Sequence, residues 1–457
     1  MNRGISKRFY WGLFLVFAFV ALRAEESKPN VILMLADDLG YNDLSCYGSD
    51  KQETPVLDKL AEEGLRLTSF YAGASVCTPS RMALLTGAYP PRLGWQGGVV
   101  GYGVKVHNGL APEARTTAEI FQDAGYATAL IGKWHLGDTP ELHPQNQGFE
   151  KTYFIDKSNN QTKKLWRGLK VEADPFDNRR LTENFIREGI KFIRLNKKKS
   201  FFLYLPFTAP HFPAQAHPQW KGKSDNSSYG DVVEELDARI GTLLGVLKTE
   251  GLEKKTIVVF LSDNGTEPGQ KKWGSSFPYR GLKWSSLEGG TRVPCIIRYP
   301  ETLQAGEITD QLIAAIDLLP TLAGACGIEL QKGSGISLKM DGLNLWESLK
   351  NETSTLVRTN LLYWNGWATP QAIRVGKWKL YFDRIKELDD SEKGPVLIDL
   401  TEDPGEKNNL AAQFPGKVVQ MKNEAIGLLE KMRKNTISIG GPAQVKSNRL
   451  KEPKWLN

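Results

Sequence analysis

Two acidic pairs and one cysteine carry the chemistry legible in this chain of 457 residues. Asp37-Asp38 closes the apolar run Asn30–Ala36, and Asp263-Asn264 closes the apolar run Thr256–Leu261. Three carboxylates and an amide offer hard oxygen ligands, which suit Ca2+ or Mg2+ better than zinc. The 5 histidines show no close Cys/His spacing, which argues against a zinc cluster. Either acidic pair alone reads more simply as turn or capping residues, because Asp and Asn favour both.

The segment Ser75-Val76-Cys77-Thr78-Pro79-Ser80-Arg81 differs in kind. Thr78 is placed to cap a helix that opens with Pro79 and continues through Met82, Ala83 and Leu84. Cys77 would then lie beside unpaired helix N–H groups, where negative charge is favoured. Arg81, about one turn on, can point back at the same anion. The residues read as a nucleophile at an anion site; the alternative is a buried cysteine ahead of an ordinary helix.

The elements that must position these groups follow from the apolar pattern. Asn30–Ala36, Tyr126–Ile131, Phe201–Leu205 and Thr256–Leu261 are continuous apolar runs, each ending in a polar loop. Such runs are what a sheet covered on both faces requires. Between them, Asp231–Leu247 places Val233, Leu236, Ile240, Leu243 and Leu247 on one helical face, and Gly251 supplies a stop. Thr54–Gly64 and Thr116–Ala124 read as helices in the same way. The alternation predicts an α/β/α sandwich with a large, mostly parallel central sheet, with ligand chemistry at the carboxyl ends of its strands. Beyond about residue 345, Asn360–Trp364, Gln371–Arg374, Trp378–Phe382 and Val396–Asp399 are short strands with hairpin-like connections, followed by a helix near Val418–Met432. That predicts a smaller C-terminal α+β subdomain over residues 346–457 behind a main domain over 25–345, with a polar, loosely held tail from Asn435.

Composition excludes several classes. The chain is 40% hydrophobic and 24% charged with 44 Gly and 24 Pro, which is neither collagen, coiled coil nor wholesale disorder. The formal charge is +7, but Arg3, Lys7, Arg8 and Arg23 supply four of those charges before residue 25, leaving the rest near neutral. Nucleic acid is therefore not an expected partner; the run Lys197–Lys199 reads as a solvated helix end. Residues 1–24 have a basic start, the short apolar stretch Trp11–Leu22 and small Ala24 before Glu25-Glu26, the layout of an export signal. The expectation is an exported chain, periplasmic or secreted, without stable membrane insertion after the signal is removed. Cys46, Cys295 and Cys326 read mostly as buried thiols. Asn160, Asn226, Asn264 and Asn351 open Asn-x-Ser/Thr sequons, although glycosylation of Asn264 would exclude a metal role for it.

Cys77-Thr78-Pro79-Ser80-Arg81 resembles the Cys-x-Pro-Ser-Arg signature of type I sulfatases, in the alkaline phosphatase superfamily. The resemblance extends through Gly87-Ala88-Tyr89-Pro90-Pro91-Arg92, Gly132-Lys133-Trp134-His135-Leu136-Gly137, Pro210-His211 and Ser262-Asp263-Asn264-Gly265. It continues through Arg280–Lys283, Glu288–Pro294, Ile373–Leu380 and Asp399–Glu406, so it runs in family order from about residue 29 to 410. It implies that Cys77 is oxidised during export to formylglycine by a maturase. It implies that Asp37, Asp38, Asp263 and Asn264 ligate calcium, with the converted Cys77 completing the shell. Arg81, Lys133 and Lys283 would hold the sulfate oxygens, and His135 and His211 would move protons.

The chemistry accounts for these residue types. A sulfate monoester is an anion, so attack on it needs a cationic clamp. A thiol would form a sulfur–sulfur adduct without an easy exit, whereas an aldehyde hydrate offers one hydroxyl to attack and another to expel sulfate. The substrate implied is a sulfated saccharide or another sulfate monoester. A formylglycine-dependent phosphodiesterase or phosphonate monoester hydrolase is the alternative enzyme, and a non-catalytic sulfated-glycan-binding relative is the alternative of another class. Trp273, Trp284, Trp364 and Trp367 lie in candidate rim segments that could stack on sugar rings, with core packing the simpler role for each. His107 lies in the Gly-rich loop 97–109, and His143 and His217 match no motif.

Overall fold

Alternate side chains of the strand Asn30–Asp37 enter two different cores. Val31, Leu33 and Leu35 join one apolar cluster, while Ile32, Met34 and Ala36 join another on the opposite face. Thr256–Ser262 divides likewise, with Ile257, Val259 and Leu261 on the first face and Val258 and Phe260 on the second. A period of two with both faces apolar is why these runs are continuous in sequence and buried in the fold. The computed structural model describes residues 28–441 except 105–106, 331–338, 351–355, 384, 386–387 and 389–393, together with residue 455. The expected export signal and the sequon at Asn351 lie outside the described residues.

Among the described residues the large sheet has 10 strands. From one edge it runs Glu307–Thr309, Leu65–Leu67, Cys295–Arg298, Thr256–Ser262, Asn30–Asp37, Phe201–Pro210, Ala127–Lys133, Lys151–Ile155, Leu165–Arg167 and Lys170–Ala173. The central block, from Thr256–Ser262 to Lys151–Ile155, is parallel throughout, and antiparallel strands flank it. Helices Leu181–Asn196 and Ser227–Thr249 pack on one face; Cys77–Thr86 and Ala315–Ala325 pack on the other. Thr116 caps the helix Thr117–Asp123 in a capping box with Glu119.

A separate antiparallel sheet joins Asn360–Trp364, Pro370–Val375, Trp378–Tyr381 and Val396–Asp399, and Pro415–Arg433 is the helix expected after it. Its apolar side chains continue the core on the Cys77 side of the large sheet. The beginning of the tail is not loosely held. Ile437 N–H donates to the Arg92 carbonyl (2.9 Å) and Gly440 N–H to the Gly109 carbonyl (2.9 Å), which ties residues 435–441 to the main body. Trp455 stacks on Phe382 with ring centroids 3.9 Å apart.

Candidate active site

Sheet register brings the two acidic pairs together. Ala36 pairs with Ser262 and Asp37 with Pro210, so Asp37-Asp38, Asp263-Asn264 and His211 emerge side by side at the carboxyl ends of three adjacent parallel strands. Lys133 ends the next strand, and His135 follows it. The chain separations of more than 200 residues between the acidic pairs vanish in the register.

All of these groups are buried. Lys133 Nζ donates to Asp37 Oδ2 (2.7 Å) and Lys283 Nζ to Asp38 Oδ2 (2.8 Å). Lys283 also pairs with Glu267 (3.0 Å). Arg81 clasps Asp263 Oδ2 through Nε (3.0 Å) and Nη2 (2.8 Å), and its Nη1 donates to the Lys133 carbonyl (2.9 Å). The second Asp263 oxygen accepts from the Asp38 N–H (3.1 Å), and Asn264 Nδ2 donates to Asp38 Oδ1 (2.7 Å). Ligand-type atoms of Asp37, Asp38, Cys77 and His211 all lie within 4.8 Å of one another. His211, expected only to move protons, thus joins the acidic cluster, while Arg81 stands on Asp263 and Asp37.

Cys77 is the first residue of the helix Cys77–Thr86, and its Sγ lies 3.5 Å from Asp37 Oδ1 and 3.9 Å from Asp38 Oδ1. The expected cap is corrected here: Val76 occupies the N-cap, Pro79 is the third helical residue, and Thr78 makes no cap bond. Thr78 Oγ1 instead donates to the His135 carbonyl (2.9 Å) and accepts from the Val100 N–H (3.0 Å). At the second helical position the hydroxyl lies past the N-cap, and it serves two tertiary partners instead. Thr78 and Glu267 are the site contacts that sequence reading missed. Thr78 sits inside the motif that named Cys77, and Glu267 lies three residues past Asn264, so proximity was the available signal.

Burial shapes the protonation of the site. It pushes the Cys77 thiol well above its ordinary range, against the pull of Lys133 and Lys283. Burial also opposes ionisation of Asp37, but the Lys133 ammonium, His211 and Arg81 outweigh it and hold the carboxyl below its ordinary value. Burial lowers His135 well below the ordinary imidazole range, helped by Lys133 and Arg81. It lowers His211 to about 4, against the attraction of Asp38. The two imidazoles are anchored differently: His211 Nδ1 meets the Phe212 carbonyl at 2.6 Å, and His135 Nε2 meets the Val100 carbonyl at 2.9 Å. Each carbonyl needs a donor, which places the proton on those nitrogens and leaves His211 Nε2 and His135 Nδ1 as lone-pair sites.

Asp38 (φ 66°), His135 (φ 59°) and Trp284 (φ 78°) have left-handed backbones although none is glycine. Such conformations cost energy and persist where surrounding structure holds them. The other histidines lie apart from this cluster. His143 packs against Phe154 and Trp166, His217 pairs with Glu183, and exposed His107 pairs with Asp138. Cys46, Cys295 and Cys326 are free thiols, the last two buried. Trp364 is a core residue, as its simpler reading held, whereas Trp367 is exposed. Asn264 is fully buried, which leaves no room for a glycan.

A fold and site of this kind define a sulfuric ester hydrolase. The chain belongs to the sulfatase family: the Sulfatase family profile matches residues 29–328, and the profile for N-sulphoglucosamine sulphohydrolase, C-terminal, matches residues 283–435. Arylsulfatase A of Homo sapiens is 33% identical over 480 residues, covering 94% of this chain and 93% of that protein. N-acetylgalactosamine-6-sulfatase of Rattus norvegicus is 32% identical over 385 residues, covering 77% of this chain and 71% of that protein. The structure of Ps i-CgsB in complex with k-i-k-neocarrahexaose superimposes with a TM-score of 0.75 at 29% identity, covering 90% of this chain and 94% of that one.

Proposed function

We propose that this sulfatase is exported and hydrolyses sulfate monoesters of carbohydrates. In this reading a maturase converts Cys77 to formylglycine during export, and Asp37, Asp38, Asp263, Asn264 and the converted Cys77 hold a calcium ion. The observation that carries the reading is the seating of Cys77 against Asp37 and Asp38 within a ring of three buried cations, Arg81, Lys133 and Lys283. Two of the relatives favour carbohydrate by what they are: one is an N-acetylgalactosamine-6-sulfatase and one binds a neocarrahexaose.

The donor set suits calcium. It is made of hard oxygens, and Asn264 Oδ1 is a buried acceptor without a hydrogen-bond donor. Asp37, Asp38, Asp263 and Glu267 outnumber Arg81, Lys133 and Lys283 by one charge when all are ionised. A dication and a singly charged sulfate ester bring that balance to zero. Calcium, when bound, supplies positive charge beside the sulfate oxygens. Burial holds the Cys77 thiol well above its ordinary range, so the unconverted side chain is a protonated thiol in this pocket.

The chain's own residues then divide the work. Lys133 and Lys283 hold sulfate oxygens with the buried ammonium groups that also pair with Asp37 and Asp38. Arg81, donating twice to Asp263 Oδ2 and once to the Lys133 carbonyl, fixes the nucleophile's helix against the acidic strand ends. His211 gives the leaving oxygen its proton from Nε2, which takes up that proton when the ring is doubly protonated beside Asp38 (3.5 Å), the ring set by the Phe212 carbonyl. His135 moves the hydroxyl proton of the nucleophile at Nδ1, its ring set by the Val100 carbonyl.

Two measurements test this. Mass spectrometry of the Cys77 peptide from exported protein should find an aldehyde in place of the thiol. A screen of sulfated saccharides beside phosphodiesters should release sulfate from the former. Faster phosphodiester cleavage would overturn the substrate assignment, and an unconverted Cys77 in active enzyme would overturn the nucleophile.

A further inference from the structure

Three aromatic rings from three distant segments meet beside Lys283. Tyr102 and Trp284 meet edge to face with centroids 5.9 Å apart, Trp284 and Trp367 stack at 5.7 Å and 30°, and Tyr102 and Trp367 lie 6.2 Å apart. Tyr102 is 58% and Trp367 46% exposed, while Trp284 is half-buried between them. Single exposed rings are ordinary on a protein surface, but two that touch each other over a third are not.

Two of the rings are tied through the backbone to the reacting groups, and the third packs on them. Trp284 follows Lys283 in the chain, and its N–H donates to the carbonyl of Ser75, two residues before Cys77 (2.8 Å). Tyr102 closes a tight turn with Val99, and Val100 in that turn meets both His135 and Thr78. Trp367 comes from the turn between the first two strands of the small sheet, where Asn365 Oδ1 accepts the N–H groups of Trp367 and Thr369 (both 3.0 Å).

Glycines let these turns lock together. The Gly98 N–H donates to the Gly366 carbonyl (2.8 Å). A Cβ on Gly97 would lie 2.6 Å from Trp367 Cα, and one on Gly366 would lie 2.3 Å from the Trp284 ring. The rings are thus exposed yet fixed, as a preorganised binding surface requires.

We propose that Tyr102, Trp284 and Trp367 form a subsite that takes the apolar C–H face of a pyranose ring of the substrate; this rests on the carbohydrate reading above. Lys157 and Gln161 border the same loop at Gly101, and Asp138 pairs with Lys157. Flat rings edged by donors and acceptors match a sugar, whose faces are apolar and whose rim is hydroxyl; a sterol would need an apolar enclosure instead.

The test is steady-state kinetics of the mature enzyme on the sulfated saccharide that the screen identifies. Trp367→Ala and Tyr102→Ala should each raise KM by about tenfold with kcat changed far less, and Trp367→Phe should restore most of the loss because it keeps a ring. An unchanged KM in both alanine variants, or a Phe variant as poor as Ala, would overturn the subsite while leaving the carbohydrate reading intact. Should Trp367→Ala not fold, Tyr102→Ala decides alone. A wild-type enzyme that cleaves other sulfate esters but no saccharide overturns the carbohydrate reading itself, and the subsite with it.

Discussion

Lys379 Nζ lies 2.8 Å from Glu288 Oε1, and both side chains are completely buried where the small sheet meets the large domain. Glu406 shares the same ammonium at 3.1 Å, and its other oxygen accepts the Glu288 N–H (2.8 Å). Lys379 also donates to the Ser286 carbonyl (2.9 Å), so one cation from the C-terminal sheet grips the segment that carries Lys283 and Trp284. Lys379→Met takes the shared ammonium from two buried carboxylates, of which Glu288 keeps Arg292 (3.3 Å), and should cost about 3 kcal/mol of stability. Denaturant titration measures it, and adding Glu288→Gln should recover part of the loss. A loss below 1 kcal/mol would show that the pair is dispensable.

Removing a proposed metal ligand should separate folding from catalysis. Asp263→Ala should leave a folded chain with weak calcium uptake and little activity, although Arg81 loses the carboxylate it donates to twice and some stability goes with it. Metal content and sulfate release after chelation and dialysis are the readouts. Full activity in excess chelator contradicts the assignment.

The nucleophile has its own signature. Cys77→Ser presents a lone hydroxyl, which lacks the second oxygen needed to expel sulfate. One slow turnover is expected, leaving a sulfate ester on the introduced serine that intact-mass measurement detects. Sustained turnover by this variant is incompatible with a hydrate mechanism.

The two histidines should differ in leaving-group dependence. His211→Ala should lose roughly two to four powers of ten on sugar sulfates, whose alkoxide needs a proton, and much less on aryl sulfates that leave unaided. His135→Ala should slow release of enzyme-bound sulfate regardless of the alcohol. Rates across aryl sulfates of graded leaving-group pKa distinguish them: a steeper slope for His135→Ala reverses the roles.

Stability should respond to pH through Asp237, remote from the acidic pocket. Its carboxylate accepts the N–H groups of Val56 (3.1 Å) and Leu57 (2.8 Å) at the start of the helix Pro55–Glu62, and burial pushes its pKa up to about 6. The folded chain then holds more protons than the unfolded one between about 4 and 6, so this group's contribution rises as pH falls through that window. Relative to Asp237→Asn, the wild type should gain about 2 kcal/mol between pH 7 and about 4.5. A difference that is flat with pH would place the titration elsewhere.

Much of this molecule is written locally in the chain. Each central strand is legible because both its faces must be apolar, and Thr116 and Glu119 announce their helix because a capping box is a contact over three residues. The residues of the pocket are legible because acidic pairs closing apolar runs, together with a cysteine that opens a helix and cations beside it, have few other uses in one chain. What the chain does not display is who meets whom. Thr78 as partner of His135 and Val100, Glu267 on Lys283, Lys379 on Glu288, and Tyr102 beside Trp367 all depend on strand register and on the docking of the small sheet. The anchoring of residues 435–441 depends on the same packing. Hydrophobic period and capping act over a few residues, whereas these pairings join groups brought close only after two buried cores have closed.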